Sequence, residues 1–382
     1  MIYFDNAATS YPKPQSVINA VRNSMFLYGA NPGRSGHAFS VKTAETVYET
    51  RELLDGFFDG YGSEFVCFTV NCTHALNTAI KGILNEGDHV IISSLEHNSV
   101  TRPIHALKEK GFITYSVFSV CEDKEETLEN FKKAFTRNTK LCVVTAVSNV
   151  FGNILPIKEL SRVAHSMGAY FFVDGAQGAG VIPISMKNDG IDCLCIPGHK
   201  GLLGPMGTGA LLHGNVDLKP LLEGGTGSSS FDLNQPEIFP ERLESGTLNV
   251  PGICGLKQGL KVVEKIGVDN IRKRENEVCK EIFEGLKDIK KVKLYRDFYN
   301  EELYAPVLSF NIDGLHSEQV SAMLDRGGVA VRGGFHCSPL AHISMGTNDT
   351  GTVRISPSFR TTKKDINILL NLIRKIAIKE FI

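Results

Sequence analysis

The stretch "CIPGHKGLLGPMGTGALL", residues 195–212, decides how the chain is read. It starts as the end of an apolar run, Asp192 to Ile196, stops at Pro197 and Gly198, and presents His199 and Lys200 before a string of glycines. A run of that length bounded by Pro and Gly reads as a buried strand. A lysine at the end of a buried strand must be desolvated or paired, so Lys200 reads as a residue with a task.

Working outward, the same texture fills residues 65–215. "FVCFTV", "DHVIIS", "FITYSVFSV", "KLCVVTAVS", "AYFFVD", "IDCLCIP" and "GTGALL" are strand-like, and the helical patterns "HALNTAIKGIL", "TRPIHALKEKG", "TLENFKKAFT" and "IKELSRVAHSMG" fall between them. Near-continuous apolar strands alternating with helices predict βαβ units and a mainly parallel sheet covered on both faces. Beyond "LNVPGICGLKQGL" comes one long charged helical stretch, "LKVVEKIGVDNIRKRENEVCKEIFEGLKDI". The short strands "KVKLY", "APVLSFNI", "GVAVR" and "TVRIS" and two further helices, "SEQVSAMLDRG" and "KKDINILLNLIRKIAI", then suggest a smaller α+β domain. The glycine-rich segment 223–237 reads as a loop, functional or mobile.

Composition narrows the function. The 382 residues are 42% hydrophobic with a formal net charge of −1, and no basic block marks a nucleic-acid footprint. No apolar run is long enough to cross a bilayer, and "MIYFDNAATSYPKP" lacks the pattern of a signal peptide, so a cytoplasmic protein is expected. The nine cysteines form no CxxC pair, which fits reduced thiols better than disulfides or zinc. Cys67, Cys142, Cys193 and Cys195 lie in apolar runs and read as core residues.

In a parallel sheet, ligands collect at the carboxyl ends of the strands. Thr73, His97, Asn149, Asp174, Gln177, His199 and Lys200 all follow predicted strands. Singly, each has a structural reading as a cap, turn or core residue. Together they suit pyridoxal 5′-phosphate. A lysine amine condenses with the cofactor aldehyde, a carboxylate keeps the pyridine nitrogen protonated, and a helix N-terminus takes the phosphate. Lys200, Asp174 and the turn Asn71 to His74, with Cys72 and Thr73, are the candidates, and His97 could stack on the ring.

The chain resembles the class V aminotransferase family of fold-type I pyridoxal phosphate enzymes, and within it the cysteine desulfurases. The motifs are "YFDNAAT", "NPGRSGH", "NCTHALN", "LEHNS", "VSNVFGN", "VDGAQ", "PGHK", "GPMGTG", "ERLESGTLN", "VRGGFHC" and "TVRISPSF", with Lys200 standing 26 residues after Asp174. The resemblance implies a large, mainly parallel seven-stranded α/β domain at 15–255 and a small α+β domain at 256–382, joined by the N-terminal segment 1–14. It implies that Lys200 carries the Schiff base, Asp174 faces the pyridine nitrogen, Gln177 the ring oxygen, and His97 the ring. Thr73, His199 and, from the partner of a homodimer, Thr247 would hold the phosphate. Asn149, Arg354, Arg34 and His37 would meet the substrate.

Cys337 separates a desulfurase from a transaminase. It lies in the Gly- and His-rich "VRGGFHCSPLAH", near Arg332, His336 and His342, whose positive field would favour a thiolate. A loop cysteine without a role, or a metal site of His336, Cys337 and His342, is the alternative, though no carboxylate or second thiol stands nearby. The resemblance implies that L-cysteine is converted to L-alanine, with the sulfur passing to Cys337 as a persulfide and on to a carrier, a scaffold for iron–sulfur cluster assembly, or a reductant. Selenocysteine, or another amino acid handled by a transaminase or lyase of the family, is the alternative substrate. Pro197 stands where relatives often place a phosphate-binding hydroxyl. Phe359 and Arg360 replace a common Tyr-Asn, which makes Arg360 a further candidate substrate contact.

Overall fold

The computed structural model describes residues 1–32, 36–214, 216–228 and 230–378. Its strands are β1 (Ile2–Tyr3), β2 (Val66–Thr69), β3 (His89–Ser93), β4 (Thr114–Phe118), β5 (Thr139–Thr145), β6 (Tyr170–Asp174), β7 (Cys193–Pro197), β8 (Gly209–His213), β9 (Val292–Leu294), β10 (Leu308–Ile312), β11 (Val329–Ala330), β12 (Arg332–Gly334) and β13 (Thr352–Ile355). The first large sheet has the order β2-β8-β7-β6-β5-β3-β4. Only β8 runs antiparallel to its neighbours, so the carboxyl ends of β2, β3, β5, β6 and β7 share one edge.

The sheet is apolar on both faces because both are covered. Ile91, Cys142, Val144, Phe171, Val173 and Leu194 face one side, against Val47, Leu54, Leu160, Leu256 and Leu260 from helices. Val90, Ile92, Leu141, Val143, Phe172, Cys193 and Cys195 face the other, against the helices Cys72–Ile83 and Asn98–Glu109. Period-two alternation explains the split. Each fully buried Leu, Ile or Phe contributes about 1.5–3 kcal/mol.

The second sheet, β12-β13-β10-β9, is antiparallel and belongs to a smaller lobe. The charged stretch expected as one helix is two, Val250–Ile266 and Val268–Lys287, divided at Gly267, whose φ of 87° is left-handed. The expected boundary at 255/256 lies inside the first of these helices. "GVAVR" also divides. β11 pairs with β1 from the N-terminus, whereas β12 joins the antiparallel sheet. The described residues of 223–237 hold no helix or strand.

Two devices fasten the lobes. The N-terminal segment pairs with β11, bridges Asp5 to Ser356, and reaches the turn after β7 through Ser10 N–H to His199 O, 3.1 Å. The segment after β5 is held carbonyl by carbonyl. Arg354 Nη1 donates to Asn149 O (2.9 Å), Ser309 Oγ to Val150 O (2.6 Å), Arg296 Nη2 to Phe151 O (2.9 Å) and Ala305 N–H to Gly152 O (2.8 Å).

A small cavity of about 50 Å³ lies where the lobes meet, lined by Ala7, Gln177, Glu275, Pro306 and Phe359 among others. Glu275 is 8% exposed, and among the described residues its Oε1 accepts only the Phe359 N–H, at 3.0 Å. Burial pushes its carboxyl up to about 8. The folded protein therefore binds this proton more firmly than the unfolded chain, so stability falls as pH rises from about 4.5 to about 8. Glu275→Gln keeps the acceptor and removes the charge. It should raise Tm at pH 8 by a few degrees, with the gain vanishing near pH 4.5, as thermal unfolding followed by circular dichroism will show.

Candidate active site

A cavity of about 240 Å³ opens at the carboxyl edge of the large sheet. Cys72 and Thr73 reach it from beyond β2, His97 from beyond β3, Asn149 from beyond β5, Asp174 and Gln177 from β6, and His199 and Lys200 from beyond β7. The small lobe adds Arg332, His336 and Arg354, and the N-terminal segment adds Ala7 and Ala8. The sheet order makes β6 and β7 neighbours, which brings Asp174 and Lys200 together.

Lys200 follows a turn in which space is short. A side chain at Gly201 would collide with the Ala179 carbonyl, and one at Gly198 with the Thr208 hydroxyl. The carbonyl of His199 is held by the Thr9 hydroxyl (3.1 Å) and by Lys13 Nζ (2.6 Å). Burial lowers the Lys200 amine below its ordinary range, the Asp174 charge opposes this, and Arg354 and Arg332 reinforce it. The neutral amine is thereby made more available as a nucleophile or base.

Asp174 is 2% exposed; its Oδ1 accepts from Ala176 N–H at 2.8 Å and from the Cys72 thiol at 3.5 Å. That thiol is pushed far up by burial and by the Asp174 charge, so it stays protonated and donates. Sequence reasoning placed Cys72 here only through its backbone.

His97 caps the helix Asn98–Glu109, its Nδ1 accepting the Ser99 N–H at 3.0 Å. The Ser99 hydroxyl lies 2.6 Å from the same nitrogen and 3.0 Å from the Thr73 hydroxyl. An Nδ1 that accepts a backbone N–H carries no proton, so the ring presents Nε2–H. Burial holds its pKa down at about 4, with Lys200, Arg332 and Arg354 adding to the effect against Asp174. Ser99 was not singled out in the sequence, because a serine in the first turn of a helix looks like an ordinary capping residue.

Gln177 Nε2 donates to Ala7 O at 2.9 Å. Arg354 is 1% exposed on β13; its Nη2 donates to Asp5 Oδ1 at 2.8 Å, and its buried Nε has no partner among the described residues. Asp5 is the other residue the sequence did not reveal as part of the site. It lies within "YFDNAAT", which the sequence offered only as a motif of the resemblance.

The Asn149 amide does not stand free. Nδ2 donates to His336 O at 2.7 Å and Oδ1 accepts from Ser338 Oγ at 2.6 Å. Between these residues, Cys337 is exposed, and its Sγ lies 3.9 Å from Arg332 Nη2. His336 and His342 do not supply the expected positive field. Burial lowers both, His336 more strongly, and leaves Arg332 as the cation at the thiol. Among the described residues no cluster of three metal-ligating side chains forms.

Other expected residues lie elsewhere. His37 is exposed, and its Nδ1 caps the helix Ala38–Phe57 by accepting Ser40 N–H at 3.2 Å. Thr247 is exposed on a segment anchored by the Arg51–Glu244 pair, with Nη2 to Oε2 at 2.6 Å, and does not line the cavity of its own chain. Arg34 is outside the described residues. Arg360 donates to Pro12 O at 2.9 Å, tying the small lobe to the N-terminal segment instead of facing the cavity.

The residues fit pyridoxal phosphate. The Asn71 side chain takes the His74 N–H at 2.8 Å, which leaves the N–H groups of Cys72 and Thr73 at the helix N-terminus for an anion. Close by, the buried Nδ1 of His199 has no partner among the described residues.

The sequence model of the aminotransferase class-V family matches residues 2–369. A probable cysteine desulfurase of Methanothermobacter thermautotrophicus is 33% identical, the match covering 98% of this chain and 94% of that protein. An apo structure of a cysteine desulfurase from Thermococcus onnurineus superposes with a TM-score of 0.92 at 32% identity, covering 99% of this chain and 95% of that one. A cysteine desulfurase structure from Escherichia coli gives a TM-score of 0.88 at 25% identity, over 100% and 95% of the two chains. The chain belongs to the aminotransferase class-V family and stands among its cysteine desulfurases.

Proposed function

We propose that the chain converts L-cysteine to L-alanine with pyridoxal 5′-phosphate and passes the sulfur to Cys337. The observation that carries this reading is the placement of the Lys200 amine and the Asp174 carboxylate at the carboxyl ends of adjacent strands in one cavity, with the exposed Cys337 on a loop fastened to its wall. A transaminase has no use for the thiol. Among the nine cysteines Cys337 is the exposed one, and the others are buried or half-buried.

In this reading Lys200 Nζ holds the cofactor, Asp174 faces the pyridine nitrogen, Gln177 the ring oxygen, and His97 the ring. Cys72 and Thr73 N–H, the Thr73 hydroxyl and His199 hold the phosphate, with Thr247 entering from the partner of a homodimer. When bound, the cofactor withdraws electrons from the substrate α-carbon. Lys200, its amine lowered below the ordinary range by burial, takes and returns the α-proton. Arg354, fixed by Asp5 and Asn149 O, presents its remaining N–H donors to the substrate carboxylate, beside the Asn149 amide. The Cys337 thiolate attacks the substrate sulfur: the carbon–sulfur bond breaks, a sulfur–sulfur bond forms, and the released electron pair and a proton end on the alanine β-carbon. Arg332 stabilises the attacking thiolate.

The persulfide then passes to a sulfur-carrier or scaffold protein, or is reduced by a small thiol, as in iron–sulfur cluster assembly in the cytoplasm. No helix among the described residues is long and apolar enough to cross a membrane.

Two substitutions test the reading. Lys200→Ala should abolish covalent attachment of the cofactor, seen as loss of the visible absorbance band; a retained band removes the lysine from its role. Cys337→Ser should keep that band yet form alanine from cysteine at least about a hundredfold more slowly, as expected when a covalent nucleophile is lost. Equal yields of alanine and sulfide from the unmodified enzyme with a reductant would separate desulfuration from transamination.

A further inference from the structure

The turn that carries Cys337 is held at three successive residues, each time by the large lobe. His336 O accepts from Asn149 Nδ2 (2.7 Å), Cys337 O accepts from the N–H of Asn98 (2.7 Å), and Ser338 Oγ donates to Asn149 Oδ1 (2.6 Å). One amide thus grips the backbone before the thiol and the side chain after it. His336 and Cys337 both have left-handed backbone, with φ of 51° and 59°. Two such non-glycine residues in a row persist only where surrounding contacts fix them.

Ser338 stands at the N-cap of the helix Pro339–Ser344, where a serine oxygen ordinarily accepts an N–H of the first turn. It makes no such bond, and it is fully buried. Its hydroxyl turns to Asn149 instead, and the geometry sets which end of that amide faces which way. His336 O can only accept, so it requires the Nδ2 end, and Ser338 completes the pair at Oδ1. Without the hydroxyl, Oδ1 loses this partner and the amide is free to rotate away from His336 O.

We propose that Ser338 is a positioning residue for the sulfur-accepting step: through the Asn149 amide it holds the 336–338 turn, and with it the Cys337 thiol, in register with the cavity. This rests on the reading that Cys337 accepts the sulfur. Ser338 does not line the cavity. Its removal acts on the reach of the thiol by way of the Asn149 amide, which itself lines the cavity.

The test uses the cofactor-loaded full chain with Ser338→Ala, Ser338→Thr and Cys337→Ser. A displaced reacting group of this kind is expected to lower kcat about tenfold in Ser338→Ala. The cofactor absorbance should stay unchanged. Alkylation of Cys337 by iodoacetamide, followed by peptide mass spectrometry, should quicken at least about threefold as the turn loosens, a change that a loss of global stability does not produce. Ser338→Thr keeps the hydroxyl and should stay close to the unmodified enzyme in both measurements. The proposal is overturned if kcat and the alkylation rate of Ser338→Ala both match the unmodified enzyme, or if Ser338→Thr falls as far as Ser338→Ala. Undiminished alanine formation by Cys337→Ser would instead remove the sulfur-accepting reading itself, and the role of Ser338 with it.

Discussion

Four consecutive carbonyls, from Asn149 to Gly152, point out of the end of β5 and are each met by a donor from the small lobe. An unpaired buried carbonyl costs about 1–3 kcal/mol, so neither lobe can leave the other without exposing or orphaning this row. One of these donors, Arg354, also lines the cavity. Arg354 spans Asn149 O and Asp5, and Arg296 also holds the Val307 carbonyl while lying over the Tyr304 ring at 4.2 Å. The cavity is therefore assembled by backbone satisfaction at the lobe junction, and the side chains that face a ligand are held by groups that have structural work to complete.

That arrangement also sets the electrostatics. Asp174, the Asp5–Arg354 pair, Arg332 and Lys200 meet in a region from which water is largely excluded. Desolvation dominates there: it holds His97 and His199 neutral, lowers Lys200 and keeps the Cys72 thiol protonated. Charge is concentrated on Arg354, which would meet an anionic carboxylate, and on Arg332, while the phosphate would be met by neutral N–H and hydroxyl groups. The neutral histidines offer N–H groups and ring faces with no additional cation to offset.

Most of the fold was legible because its strands are buried on both faces and read as apolar runs broken by glycine and proline. Lys200 and Asp174 were legible for the same reason, since a polar residue closing such a run marks the functional edge. The two-helix break at Gly267 was not, because a glycine inside a charged amphipathic pattern leaves the periodicity nearly intact. His336 and His342 looked like cations by residue type, and only burial shows them neutral. Asp5 escaped for another reason. Asp5 meets Arg354 across 349 positions of chain, and no local pattern encodes so distant a pairing.

The same distance bears on how the protein is made. β1 leaves the ribosome well before its partner β11 and the Arg354 that Asp5 holds, which emerge more than three hundred residues later. The seven-stranded sheet can close around Asp174 and Lys200 while the nascent chain still lacks both the turn bearing Cys337 and the arginine proposed to hold the substrate carboxylate. N-terminal parts of multi-lobed chains fold first during synthesis. Lys200 and Asp174 can thus take their places before Cys337 and Arg354 have left the ribosome.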